Sequence, residues 1–549
     1  NSDRGQQRPA ISISPRDVRR SDRRFKMSHL PEGGAKNPWL IALTVTIATF
    51  MEVLDTSIAN VALPHIAGNL SAGIDESTWV LTSYLVANAV ILPLSGWISA
   101  LMGRKRYYML SVLLFTASSM LCGLAPSLPW LVVFRVMQGL GGGGLQPSEQ
   151  AILADTFPAK KMGMAMALYG FAVVTAPIVG PTLGGWITDH YSWRWIFFIN
   201  LPVGLLSLFL TSRMVEDPPD LKRRSFKEGL KIDYVGLTLI TIGIAALQIV
   251  LDKGQRDDWF ESPFILTLSL IAGVTLLFAL VWEYYHPDPM VNVRLLKERN
   301  FFFSNVLMGV LGIVLFGSTV LLPLFLQQLM GYPATTAGMV LSPGGLVTMA
   351  TMPFIGFILG YVQPRWLIAF GLSIVSFSMF HMSHFTPDMD YWTAVSSRMI
   401  QAAGLGFLFV PINSAAYLFL PRDKTSSASG IINFSRNIGG SMGIAFAATY
   451  LSRFGQMHQN QLVAHLTPYD PAYNTALNSL TEKLIHQGLP ASVAAQTAQA
   501  RIYGQLLRQA DMRAYISDFR LLGWIVLAAI PLVFLLRRGK LDKGAAPVH

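Results

Sequence analysis

Glu52 and Asp55 lie three residues apart in "ATFMEVLDTSIANVALP" (48–64), within a stretch that is otherwise mostly apolar or small. On a helix that spacing puts both carboxylates on one face. Arg135, Glu149, Arg398 and Arg436 also stand in long, weakly charged runs. Ionisable groups at membrane depth are rare, because charge is costly in hydrocarbon, and they mark proton relays or substrate contacts. A carboxyl raised in pKa by burial and lowered by a nearby guanidinium can bind and release a proton near neutral pH. The same groups can also form an ion pair that fixes helix register, so both readings stand for Asp55 with Arg135.

The elements that must hold these groups are membrane helices. Of the 549 residues, 52% are hydrophobic and only 13% are charged, where soluble domains carry about 25% charge. Apolar runs of about 20 residues recur, enough to cross roughly 30 Å of hydrocarbon. Fourteen spans are predicted: 38–66, 77–101, 107–125, 128–154, 162–188, 194–213, 232–251, 263–284, 301–326, 336–361, 365–385, 391–419, 427–451 and 517–536. Thirty of the 42 Lys and Arg residues then fall on the side holding both termini and nine on the other. The positive-inside rule places that side in the cytoplasm. The net charge of +11 is therefore topological and not a nucleic-acid footprint. The Arg-rich start lacks an apolar core, so it is not a secretory signal; Met27 is a candidate natural start. Residues 1–36 are expected to be a disordered cytoplasmic tail.

An internal repeat organises the spans. "RVMQGLGGG" from Arg135 aligns with "RMIQAAGLG" from Arg398 at an offset of 263, which also pairs Phe157-Pro158 with Leu420-Pro421 and Gly180 with Gly443. Near an offset of 260, "PLSG" (93–96) meets "PFIG" (353–356). Such repeats suggest two halves related by an axis along the membrane normal. Six helices fill only part of that offset, and residues 214–298 supply the excess as a two-helix insert. The expected fold is an all-α polytopic membrane protein. A six-helix bundle (37–213), the insert (214–298), a second six-helix bundle (299–537) and a cytoplasmic tail (538–549) follow one another.

The motifs resemble those of the major facilitator superfamily, in particular its fourteen-helix drug:proton antiporters of the EmrB type. "LDTSIANVALP" (54–64), "RVMQGLG" (135–141), "APIVGPTLGG" (176–185) and "WRWIFFINLP" (193–202) resemble the signatures of helices one, four, five and six. The loop "GWISALMGRKR" (96–106) keeps Gly103 and Arg104 but has Ala100 and Leu101 where the family carries an Asp and an Arg that help latch the cytoplasmic side. The resemblance implies a major facilitator fold whose two bundles rock about a central cavity, with helices one and four meeting. It implies that Pro177, Gly180, Pro181, Gly184 and Gly185 form a rocking surface and a barrier to proton leak; plain tight packing of a small-residue face is the alternative.

The candidate site residues follow. Asp55, Arg135 and Glu52 are assigned to proton coupling. Glu52 stands outside the family motif and reads equally as a contact for a cationic substrate or as a neutral hydrogen-bonding group. Glu52, Gln138, Glu149, Arg398, Gln401, Asn433 and Arg436 are expected at the substrate cavity. Arg398 and Gln401 repeat Arg135 and Gln138, but no acid repeats Asp55, so the second arginine reads as structural or substrate-facing. Asp155 is expected to be solvated, and His381 and His384 interfacial.

Several classes are excluded. Gly139, Gly141 and Gly144 match GxGxxG, but no strand precedes them, so no dinucleotide site is implied. No GxxxxGK[ST] occurs, and the single Cys122 rules out a disulfide framework and a Cys-based metal site. No metal or cofactor is expected. Residues 452–516 read as an outer helical hairpin broken at Gly488-Leu489-Pro490: a gate, a dock for a partner, or a cap packed only on its own bundle. The resemblance implies protons and hydrophobic small molecules as ligands and the inner membrane as location. It also implies a periplasmic adaptor (a membrane fusion protein) with an outer-membrane channel as partners. The function expected is proton-coupled efflux of hydrophobic or amphipathic compounds by a secondary transporter and not an enzyme. An uptake symporter, a non-transporting sensor or scaffold, and a membrane-embedded lipid enzyme are the rivals.

Overall fold

The structure is a computed structural model and describes residues 37–217, 233–421 and 424–538. The expected tails at 1–36 and from 539 onward, and part of the insert, lie outside the described residues. Every regular element among those described is helical. The sixteen long helices are α1 (Pro38–Asn69), α2 (Trp79–Met102), α3 (Arg104–Leu124), α4 (Leu128–Gly142), α5 (Leu145–Thr156), α6 (Ala159–His190), α7 (Asn200–Met214), α8 (Tyr234–Lys253), α9 (Pro263–Tyr285), α10 (Arg299–Gln328), α11 (Ala334–Ile358), α12 (Pro364–Met382), α13 (Tyr391–Tyr417), α14 (Thr425–Val463), α15 (Pro471–His486) and α16 (Ala491–Val533).

Among the described residues, eleven helical spans are long and apolar enough to cross a bilayer, and a twelfth if the two arms of α6, which meet at 43°, count as one. Two predicted spans miss this test for physical reasons. The segment 128–154 is not one helix: it breaks between α4 and α5 at Gly143 and Gly144. Glycine is a poor helix former, and this run is needed for close approach. A Cβ on Gly141 would stand 2.6 Å from the Phe115 nitrogen, and one on Gly143 would stand 2.7 Å from the Asn88 carbonyl. The other, α14, is rich in Ser and Asn, and its polar side chains are used in contacts described below.

The chain also departs from the predicted outer loop. α14 continues to Val463, and residues 491–516 are the first part of α16, not a separate piece. The predicted break is present, with Gly488 at φ +94°. α15 packs back on α16 through buried Leu484, Ala494 and Ala498, with Leu477 and Leu480 beside them.

Packing follows the repeat. α1 lies on α6 and α7, and α4 on α2 and α3; α10 lies on α14, and α13 on α11 and α12. The two sets meet along α6 with α11 and α2 with α14. At the end where α1 begins, a Cβ on Gly96 would be 2.4 Å from Ser427 Cα, and one on Gly163 would be 3.0 Å from the Gly356 carbonyl. This direct contact of α2 with α14 forms although Ala100 and Leu101 offer no charged latch. α8 and α9 pair, and α8 rests on both α2 and α14. Gln248 bonds Ser441 at 2.9 Å, and Thr82 donates to Asp252.

Gly103 turns the chain from α2 into α3 at φ +87° and ψ 153°. That region is essentially restricted to glycine, and other residues there cost about 1–3 kcal/mol. Gly103→Ala is therefore expected to lower the thermal stability of the purified protein by about that amount, read by size-exclusion chromatography after graded heating. The neighbouring Arg104 is buried, donates to the Ala151 carbonyl at 3.0 Å and pairs with Asp155. Asp155, expected to be solvated, is thus held by the helix packing of the first half.

Candidate functional site

α1 carries the centre of the site because its acidic face turns inward. Glu52 and Asp55 are 3% and 2% exposed. Asp55 accepts from Arg135 Nη1 at 2.6 Å, Gln138 Nε2 at 3.0 Å and Asn200 Nδ2 at 2.6 Å. Arg135 donates its Nε–H to the Val80 carbonyl at 3.0 Å and its guanidinium carbon lies 4.3 Å from the Tyr84 ring centroid. Helices α1, α2, α4 and α7 therefore converge on one ion pair. Asn200 was not singled out from the sequence, although it stands inside "WRWIFFINLP".

Glu52 is one turn nearer the start of α1 and has different company. It accepts from the Tyr84 hydroxyl at 2.9 Å, Asn88 Nδ2 at 3.1 Å and Gln146 Nε2 at 2.7 Å. The Gln146 amide passes the contact on, since its Oε1 accepts from Arg436 Nη2. Glu52 in the first half and Arg436 in the second are thereby joined through one side chain of α5. The Tyr169 hydroxyl, on α6, stands 3.0 Å from Gln146 Oε1, 2.9 Å from Asn433 Oδ1 and 3.1 Å from Arg436 Nη1. Asn433 donates to Gln150 Oε1 at 3.0 Å, which also accepts from Tyr417, and Asn437 donates to Asn88 at 3.1 Å.

This network ties the halves together from mid-helix toward the end where α1 begins. The break in the fourth span makes it possible, since α5 presents Gln146, Glu149 and Gln150 as buried side chains. Removing one hydroxyl leaves buried partners unmatched, at about 1–3 kcal/mol. Tyr169→Phe is accordingly expected to lower the melting temperature of the purified protein, whereas unchanged melting would place the hydroxyl outside the network.

The other expected residues separate. Glu149 accepts from Thr46 of α1 at 2.6 Å. Arg398 and Gln401 sit together inside the second half against Ser318 and Thr319 of α10. On α6, Pro177 gives its carbonyl to Ser57 at 3.2 Å, and a Cβ on Gly180 would stand 2.4 Å from Ser57 Oγ. One on Gly184 would be 2.9 Å from Ile58 Cγ2, but Gly185 has open space to 3.9 Å. Pro181 lies inside the second arm of the same bent helix. His381 is tied to Ser397 at 2.8 Å.

The model for the Major Facilitator Superfamily matches residues 45–444. The chain belongs to that superfamily. Among similar proteins, the multidrug export protein EmrB of Escherichia coli (strain K12) is 37% identical over 433 residues, 79% of this chain and 84% of the relative. The fatty acid resistance protein FarB of Neisseria gonorrhoeae is 36% identical over 462 residues, 84% of this chain and 90% of the relative. Among solved structures, the proton:xylose symporter XylE superposes with a TM-score of 0.57 at 15% identity. That match spans 92% of this chain and 97% of the symporter, a likeness of fold alone. A major facilitator is a secondary transporter and not an enzyme, and this one is a multi-pass membrane protein of the EmrB type.

Proposed function

We propose that this major facilitator exports hydrophobic and amphipathic toxic compounds across the inner membrane in exchange for protons, by alternating access. The observation that carries the reading is the chain of contacts from Glu52 through Gln146 to Arg436, beside the Asp55–Arg135 pair. It links the Glu52 carboxyl of one half to a cation of the other, so that protonation changes how firmly the halves hold each other. The similarity to EmrB and FarB supports export of lipophilic compounds, including amphipathic acids.

In this mechanism a proton entering from the outer side neutralises Asp55, weakens its hold on Arg135 and favours outward release of substrate. A proton on Glu52 weakens the acceptor for Gln146 and so frees Arg436 to leave the first half. The contacts of α2 with α14 and α6 with α11 at the end where α1 begins then separate. Binding of a new substrate from the inner side completes the cycle after deprotonation.

The topology we assign is fourteen spans with both termini cytoplasmic, supported by the distribution of Lys and Arg. The broken α4–α5 pair and α14 complete the count because their polar groups face protein and not lipid. Two bundles (37–213 and 299–537) flank the insert at 214–298. The region 452–516 then stands outside the membrane, with Tyr469, Ile485, Val493 and Tyr503 exposed, and serves as the dock for a periplasmic adaptor leading to an outer-membrane channel. A toxicity panel in a pump-deficient strain tests the function. Wild-type protein is expected to raise tolerance to several lipophilic compounds and Asp55→Asn to none, whereas equal protection by both contradicts the reading.

A further inference from the structure

The repeat places a second copy of the Asp55 site in the other half, with one group changed. The offset of 263 that carries Arg135 to Arg398 and Gln138 to Gln401 carries Asp55 to Ser318. The copy is assembled in the fold. Gln401 Oε1 accepts from Arg398 Nη1 at 2.6 Å, as Gln138 Oε1 does from Arg135 at 2.7 Å. Gln401 Nε2 donates to Ser318 Oγ at 2.6 Å, as Gln138 Nε2 does to Asp55 at 3.0 Å. Arg398 Nη1 lies 3.4 Å from that hydroxyl, where Arg135 meets a carboxylate at 2.6 Å. The first triangle is neutral and the second carries a full positive charge.

The other buried cations of the spans have acids. Arg104 pairs with Asp155, Arg135 with Asp55, Arg436 reaches Glu52 through Gln146, and Lys253 lies within electrostatic reach of Asp252. Arg398 is 1% exposed, is in no ion pair among the described residues, and its Nε has no acceptor. A guanidinium does not shed its proton, and an unpaired charge in a low-dielectric interior is strongly disfavoured. No acid among the described residues meets that charge. Arg398 Nη2 lies 3.3 Å from Thr319 Oγ1, and Thr319 is half-buried, so this side forms the rim. On another side Gly344 makes room for the arginine stem, since a Cβ there would lie 3.2 Å from Arg398 Cγ.

We infer that Ser318, Thr319, Arg398 and Gln401 form a binding site for one small monovalent anionic group, either a halide or the carboxylate of an amphipathic molecule. The anion takes the place that the Asp55 carboxylate occupies in the first half. The site does not depend on proton exchange, so failure of the export reading leaves it standing.

Equilibrium binding of radiolabelled chloride and of radiolabelled decanoate to the purified full-length protein tests it, in neutral detergent with ionic strength held by a bulky sulfonate salt. Saturable binding of at least one probe, one per chain, is expected. Decanoate alone identifies a carboxylate of an amphiphile, chloride alone a resident ion, and both a general anion site. Ser318→Asp supplies the missing carboxylate from within, so it is expected to weaken binding at least tenfold while melting no lower than wild type. Thr319→Val, at the rim, is expected to weaken it several-fold without disturbing the buried triangle. Absence of saturable binding by either probe overturns the inference, and so does binding left within twofold by both variants.

Discussion

Asp55→Asn is expected to bring proton-driven export to background and also to reduce the yield of folded protein. The two effects have separate causes. Asp55 receives three donors, from Arg135, Gln138 and Asn200, and an amide offers two donors of its own to that cluster. Arg135 would be left buried without its acid, and breaking a buried pair from one side costs about 3–5 kcal/mol. Replacing both partners removes most of that penalty. Asp55→Asn/Arg135→Gln should therefore recover folded yield and melting temperature while export stays at background. Recovery of both together would make the pair a structural brace only.

Gly443→Val is expected to prevent accumulation of folded transporter. A Cβ at Gly443 would stand 2.2 Å from the Ile313 carbonyl oxygen and 2.7 Å from its Cα. These are backbone atoms of the facing helix, which cannot turn aside as a flexible side chain can. Overpacking costs about 1–3 kcal/mol even where side chains can adjust. Gly439 and Gly312 lie in the same seam, with Cβ approaches of 2.2 Å to the Gly309 carbonyl and 2.3 Å to the Arg436 carbonyl. The close apposition of α10 and α14 thus sets the position of Arg436 itself. Gly273→Ala and Gly504→Ala, where nothing lies within 4 Å, should leave yield unchanged. Yield measured by fluorescence-detected size exclusion separates these outcomes.

Much of this was legible from residue type and spacing, because apolar run length locates helices directly. Each predicted span is helical over most of its length, but a hydropathy run cannot show where a helix breaks. The break in the fourth span falls within the five-glycine stretch (Gly139, then Gly141 to Gly144), which the motif reading treats only as a false dinucleotide signature. Its consequence, a short α5 packed with buried polar groups, depends on neighbours distant in sequence. The Asp55–Arg135 pair was readable because rare charges in apolar runs need partners. The bridge from Glu52 to Arg436 was not, since Gln146 and Tyr169 are ordinary polar residues in sequence and gain meaning only where the halves meet. The length of α16 was missed because hydropathy registers the membrane part of a helix and not its polar extension. The sequence shows only that no acid repeats Asp55, and the role of the Ser318 hydroxyl rests on its bond to Gln401, which the fold supplies.

In the proposed exchange, substrate and proton move in opposite directions through one site. It is tested most directly by proton movement in proteoliposomes with an acidic lumen and a trapped pH dye, challenged from outside with a lipophilic compound chosen from the toxicity panel. Wild-type protein is predicted to raise lumenal pH when the compound is added, and Asp55→Asn/Arg135→Gln to leave it unchanged. Lumenal alkalinisation by the double variant at the wild-type rate would contradict the account.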